Sequence, residues 1–177
     1  MSPDKYMAAW KFAAAKHNGQ LVPGTELPYI THVGSVAMEV MAAMIEEPDR
    51  NADLAVCCAL LHDTVEDTDT TLGELAKLFG EDIAMGVSGL TKDKTLPDKR
   101  SQMLDSLARL KVLPKAVQLV KLADRIVNLQ PPPAYWTSEK CAAYRDEAQL
   151  IYDELKDASP VLAERLAKKI IGYGQYC

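Results

Sequence analysis

Residues 59–71 read Ala-Leu-Leu-His-Asp-Thr-Val-Glu-Asp-Thr-Asp-Thr-Thr, and an apolar run from Leu54 to Leu61 leads into them. A run with no polar face predicts a buried helix. It ends by presenting His62, Asp63, Glu66 and Asp67. Residues four apart share one face of a helix, so a helix continuing to Asp67 sets His62 under Glu66 and Asp63 under Asp67. Burying such groups without partners costs roughly 2–5 kcal/mol each, so stability does not explain their place at the end of a core helix. A metal-dependent hydrolytic centre does.

Outward from this stretch, every segment reads as helix or loop. Ser2-Pro3 has the form of an N-cap followed by proline at the first helical position, opening a helix to about His17 with Met7, Trp10 and Ala14 on its inner stripe. Residues 20–28 carry Pro23, Gly24 and Pro28 and predict an irregular loop. A second helix begins at Tyr29 or His32, with Val33, Val36, Val40 and Met44 as its core face. Thr71 and Glu74 have capping-box spacing for the next helix. Further helices are expected over about 82–90, 98–111, 114–129, 137–156 and 160–171. A lysine-bearing loop separates the first two at 91–97, and Pro131-Pro132-Pro133 breaks the chain after the third. No period-two pattern or internal repeat is present, so the expected fold is all-α, a bundle of about eight to ten helices forming one domain over 1–177.

The 177 residues are nearly half hydrophobic and one quarter charged, an ordinary globular composition. A net charge of −5 argues against a general nucleic-acid surface, while leaving room for a local basic pocket. No apolar stretch approaches the roughly 20 residues a membrane span needs, and the N-terminus does not resemble a signal peptide. Cys57 and Cys58 are neighbours in an apolar helix, Cys141 is remote and Cys177 is last; none has zinc-ligand spacing. The expectation is a reduced, cytoplasmic protein.

Two more residues extend the candidate site. His32 opens a helix just after Pro28-Tyr29-Ile30, and Asp124 lies beside an apolar stripe in Lys121-Leu122-Ala123-Asp124-Arg125-Ile126-Val127-Asn128. The bland alternative for Asp124 is a surface salt bridge with Lys121 or Arg125, although adjacent residues do not face each other on a helix. His17, at a helix C-terminus, is adequately explained by the helix dipole. His32, His62, Asp63 and Asp124 together offer two imidazoles and two carboxylates, a set suited to Mn²⁺, Fe²⁺ or Zn²⁺. Such a metal acidifies a bound water and clamps a phosphoryl oxygen. Glu66 and Asp67 then stand one turn beyond, placed to orient or deprotonate that water, although acidic residues at helix ends are also ordinary solvation.

A separate His, then His-Asp, then a distant Asp resembles the HD-domain phosphohydrolases. Residues 28–32 (Pro-Tyr-Ile-Thr-His), 61–68 (Leu-His-Asp-Thr-Val-Glu-Asp-Thr), 91–97 and 121–129 narrow the resemblance to the hydrolase domain of the RelA/SpoT alarmone enzymes, nearest to the stand-alone Mesh1 type. The resemblance covers roughly residues 5–170. It implies an Mn²⁺-dependent pyrophosphohydrolase that removes the 3′-diphosphate of (p)ppGpp, with His32, His62, Asp63 and Asp124 on the metal and Glu66 and Asp67 activating water. It also implies nucleotide contacts from Asn128, phosphate contacts from Lys92, Lys94, Lys99 and Arg100, and a pocket lined by Trp136, Lys140 and Tyr144. That trio also fits an ordinary amphipathic face. One departure stands out: Leu21-Val22-Pro23 occupies the place where such proteins carry basic residues, so an adenine alarmone is as acceptable a substrate as a guanine one. The rivals are an HD-type nucleotidase acting on other nucleotides and a non-catalytic alarmone-sensing module. The chain is too short for the synthetase domain of the bifunctional enzymes.

Overall fold

The computed structural model describes residues 2–48 and 51–177. Along the chain lie α1 (Pro3–Lys16), α2 (Ile30–Glu46), α3 (Ala52–Leu61), α4 (Thr64–Asp67), α5 (Leu72–Phe79), α6 (Glu81–Leu90), α7 (Lys99–Lys111), α8 (Lys115–Asn128), α9 (Ser138–Leu155) and α10 (Pro160–Tyr173). Short 3₁₀ turns follow α9 and α10. The architecture is all-α. No strand occurs among the described residues, where an isolated antiparallel bridge joins Leu21 to Pro28.

Capping residues set several boundaries. Asn51, Thr71, Asp98, Thr137 and Ser159 each accept a hydrogen bond from a backbone N–H of the first turn they precede. Ser2 does not cap with its side chain; its backbone N–H donates to Asp53 Oδ1 at 2.8 Å, tying α1 to α3. The inner face of α1 is also shifted from expectation. Ala9 and Ala13 are fully buried, with Tyr6 and Trp10 packed beside them, while Met7 is 54% exposed. Small side chains let α1 lie close on its neighbours, and the large Met7 faces out.

Leu54 to Leu61 are all buried, so α3 is the central rod of one continuous core, packed by α1, α2, α6 and α8. The approach of α6 is close: a Cβ on Gly86 would lie 2.6 Å from Cys58 Sγ on α3 and 3.1 Å from Val117 Cγ2 on α8. The core helix does not continue to Asp67. It stops at Leu61, and the chain turns through His62 and Asp63 before α4. Two side chains take the terminal carbonyls: His62 Nδ1 lies 2.8 Å from the Ala59 oxygen, and Thr64 Oγ1 donates to the Leu61 oxygen at 2.7 Å. The turn places His62 and Asp63 at the end of the rod, against α2 and α8.

Candidate metal centre and nucleotide cleft

Three elements bring the site together. The first turn of α2 supplies His32, the end of α3 supplies His62 and Asp63, and the third turn of α8 supplies Asp124. Ligand atoms of His32, His62 and Asp124 all lie within 4.8 Å of one another. His32 Nε2 is 3.3 Å from His62 Nε2 and 3.5 Å from both Asp63 Oδ2 and Asp124 Oδ1. Asp63 Oδ2 lies 2.8 Å from His62 Nε2. The four expected ligands therefore converge.

The donor set suits a divalent first-row metal on the chemistry of its atoms. With Nδ1 of His62 engaged by the Ala59 carbonyl, Nε2 is the nitrogen aimed at the cluster. A histidine whose second nitrogen rests on a backbone carbonyl is the usual arrangement at metal sites. Both carboxylates are held by neighbouring donors, in part on the same oxygens that face the histidines. Tyr29 Oη donates to Asp63 Oδ2 at 2.6 Å; Lys121 Nζ donates to Asp124 Oδ2 at 3.1 Å, and Asn128 Nδ2 to Asp124 Oδ1 at 2.5 Å. The Asp124–Lys121 pair thus exists, but buried beside the cluster rather than on the surface. Arg125 pairs elsewhere, with Glu147.

The electrostatics follow from this crowding. Burial alone would push the His62 imidazolium down, but the Asp63 and Asp124 carboxylates outweigh it and raise the pKa to about 9. Asp63 is held well below the usual carboxylate range, against burial, by the His62 and His32 rings. Asp124 is lowered to about 2, also against burial, chiefly by the Lys121 ammonium and His62. Burial, and then Asp63, push the Tyr29 hydroxyl far up, so it remains a donor. Asp67 is raised by burial and by the Asp63 and Glu66 charges.

His32 also lines a cleft of about 1720 Å³. Glu66, Lys92, Lys94, Lys99, Arg100, Asn128, Trp136, Lys140 and Tyr144 line it too, whereas Asp67 is exposed outside that lining, with Oδ1 3.7 Å from Lys94 Nζ. Glu66 Oε2 accepts from the Lys92 backbone N–H at 2.9 Å, and Lys94 Nζ donates to the Glu66 carbonyl at 2.5 Å. The lysine loop is therefore strapped to α4. Trp136 precedes α9 rather than belonging to it, yet it reaches the same face: its ring lies 5.2 Å from Tyr144, and Lys140 Nζ sits 4.2 Å from its centroid. Val22 and Pro23 line the cleft as well, and Leu21 is half exposed in the bridge to Pro28.

Several positioning side chains escaped the sequence reading. Tyr29 was singled out only as a helix start, although it lies three residues before His32, a separation that favours a shared face. Arg109 donates to the Ser88 and Thr91 carbonyls and so holds the entry to the lysine loop; no local pattern announces that role. His17 ends α1, as its reading at a helix C-terminus expects, but it is buried there. It is 3% exposed, with its ring 4.9 Å from Tyr29, Nδ1 2.6 Å from Gln20 Oε1 and no hydrogen-bond partner for Nε2 among the described residues.

A model of the HD domain matches residues 9–161, and the chain belongs to the HD-domain family. Within that class it is similar over nearly its whole length to small alarmone hydrolases. It is 34% identical to guanosine-3′,5′-bis(diphosphate) 3′-pyrophosphohydrolase MESH1 of Danio rerio, covering 92% of this chain and 91% of that protein. The protein of the same name from Homo sapiens is 35% identical, with 90% and 89% covered. The solved structure of a metazoan orthologue of SpoT, which hydrolyses ppGpp, matches with a TM-score of 0.84 at 30% identity over 98% of both chains.

Proposed function

We propose that this protein is a metal-dependent alarmone hydrolase that removes the 3′-diphosphate from guanosine or adenosine alarmones such as (p)ppGpp and (p)ppApp, with residues 1–177 acting as one domain. The products are the nucleoside 5′-di- or triphosphate and pyrophosphate. The observation that carries this reading is the convergence of His32, His62, Asp63 and Asp124, with His32 opening onto a cleft that also has a basic rim and an aromatic pair. Full-length likeness to the MESH1 proteins supports the substrate class.

On this reading His32, His62, Asp63 and Asp124 hold one Mn²⁺, which when bound supplies an acidified water and neutralises charge on the phosphoryl group. The chain's own groups do the rest. Glu66 and Asp67 orient the attacking water and take its proton, and the raised pKa of Asp67 brings it nearer the working range of a base. Attack at the phosphorus bonded to the ribose 3′-oxygen breaks that P–O bond, the 3′-oxygen gains a proton, and pyrophosphate leaves. Lys92, Lys94, Lys99 and Arg100 receive the leaving charge. Asn128 keeps Asp124 in place while reaching the nucleotide, and Trp136, Tyr144 and Lys140 border the nucleoside. The base meets Val22 and Pro23, apolar side chains that reward a flat ring and not a particular hydrogen-bond pattern, so both purines are accepted.

The deciding experiment gives purified protein with Mn²⁺ ppGpp, pppGpp and ppApp side by side and resolves the products chromatographically. Pyrophosphate from all three is expected. Equal turnover of ordinary dNMPs or dNTPs would favour a general nucleotidase, and tight binding without pyrophosphate release a sensing module.

A further inference from the structure

The cleft that His32 lines also reaches α10, where it carries further basic side chains. Arg165 and Lys169 lie four residues apart on one face of α10, and both line the cleft. Arg165 Nε and Nη2 each donate at 2.5 Å to the carboxylate of Glu39 on α2. Glu39 is seven residues beyond His32, which is two turns or about 10 Å along α2. The side-on grip by Glu39 fixes the plane of the guanidinium, and Nη1 has no hydrogen-bond partner among the described residues. Beyond this point a second pocket of about 320 Å³ continues the cleft, sharing Gln130, Pro131, Arg165, Lys169 and Tyr173 with it and adding Lys168.

A molecule that places a diphosphate among Lys92, Lys94 and the metal ligands therefore shares its cleft with a second pair of basic side chains, Arg165 and Lys169. Acidic groups line the cleft as well: Glu147 is held by Arg125, Glu39 and Arg165 offset one another, and Asp146 adds a further carboxylate, which leaves Lys169 and the open edge of Arg165 as the donors for an anion. Arginine with one edge free is suited to a phosphate, to which it presents parallel N–H donors.

We propose that Arg165 and Lys169 form a 5′-polyphosphate subsite, with Glu39 as the positioning residue that orients Arg165, so that the enzyme grips its nucleotide at both phosphorylated ends. The inference rests on the hydrolase reading above. The adjoining pocket gives a 5′-triphosphate room for its terminal phosphate beside Lys168, and the subsite thereby favours triphosphate over diphosphate substrates.

Kinetics of the Mn²⁺-loaded protein on three guanosine 3′-diphosphates test it: one with a 5′-triphosphate, one with a 5′-diphosphate and one with a free 5′-hydroxyl. In the wild type KM should rise as 5′-phosphates are removed. Arg165→Ala and Lys169→Ala should each shrink the KM ratio between the 5′-hydroxyl and 5′-triphosphate substrates by about 10-fold, the scale of one lost charge-assisted hydrogen bond. Glu39→Gln should shrink it less. If Arg165 served only to tie α10 to α2, all three KM values would move together and the ratio would hold, which overturns the subsite; Lys169→Ala, which breaks no such tie, guards against misfolding as the explanation. A wild type that hydrolyses all three with the same KM also overturns it while leaving the hydrolase reading intact. Failure to cleave any of the three would instead overturn the hydrolase reading, and this one with it.

Discussion

At the metal end of the cleft His32, His62 and Asp124 are each at least nine-tenths buried, and Asp63 and Asp124 are each held by a neighbouring donor, Tyr29 for the first and Lys121 and Asn128 for the second. At the rim Lys94, Lys99, Arg100 and Lys140 are exposed, and the contacts that hold Lys94 and Lys140 run to a backbone carbonyl, a surface carboxylate and aromatic rings. The difference tracks what each end must do. Chemistry at a phosphorus needs ligands that cost no reorganisation when the reaction begins, which rigid burial supplies. Gripping a polyphosphate needs reach and charge, and solvated lysines supply these at the expense of salt sensitivity. The seam between the two is Glu66, which lines the cleft with His32 yet also accepts from the Lys92 backbone N–H.

The most severe way to break the comparison is Asp63→Ala, which is expected to abolish both metal occupancy, read by elemental analysis of the purified protein, and turnover. Glu66→Ala should keep the metal and lower kcat by about 10²-fold, the usual scale of acid–base loss. Because that substitution also frees the Lys92 N–H, KM should rise with it, whereas Glu66→Gln should spare KM and lose kcat alone. Full activity in Glu66→Ala would remove the residue from the chemistry. Tyr29→Phe deletes only the hydroxyl that donates to Asp63 Oδ2 and should weaken Mn²⁺ binding by about 10-fold, the lower range for a lost outer partner of a ligand; a metal titration reads it directly.

A pH experiment sharpens the buried end. The folded His62 pKa of about 9 lies above its ordinary 6.5, so its proton stabilises the chelator-treated protein fully below about pH 6.5, and that contribution is lost as pH rises through 9. The thermal midpoint of that form should fall over this window. Metal must displace the same proton, so calorimetry in buffers of different ionisation enthalpy should show proton release on Mn²⁺ uptake near pH 7.5, vanishing above about pH 9. At the rim effects are smaller. Lys140→Ala should raise KM only a few-fold, on the order of a single exposed cation–aromatic or ion-pair contact, and the effect should fade as salt is added.

The two regions were also unequally legible in the sequence. His62-Asp63 announced itself by ending an apolar helix, and Asp124 by sitting beside a helix-spaced stripe; both signals are local. Hydrophobic spacing leaves open whether the core helix runs on to Asp67; it stops at Leu61, where Thr64 and His62 use their own side chains to cap the Leu61 and Ala59 carbonyls, a competition that spacing does not report. Met7 was misassigned on α1 because the stripe is made of alanines, whose weak hydrophobicity hides the packed face. The rim residues were legible only through family resemblance, since exposed lysines carry no pattern of their own.

Taken by itself, the sequence determined the helices, most of their ends and the inventory of imidazoles and carboxylates, because periodicity and capping act within a few residues. Only the tertiary structure decided which of these meet. His32 faces His62 across 30 residues, Tyr29 reaches Asp63 across 34, and Arg165 finds Glu39 across 126. Such meetings depend on how α2, α8 and α10 cross the central rod of α3, and those crossings are settled by the packing of the whole core, which no local stretch of chain encodes.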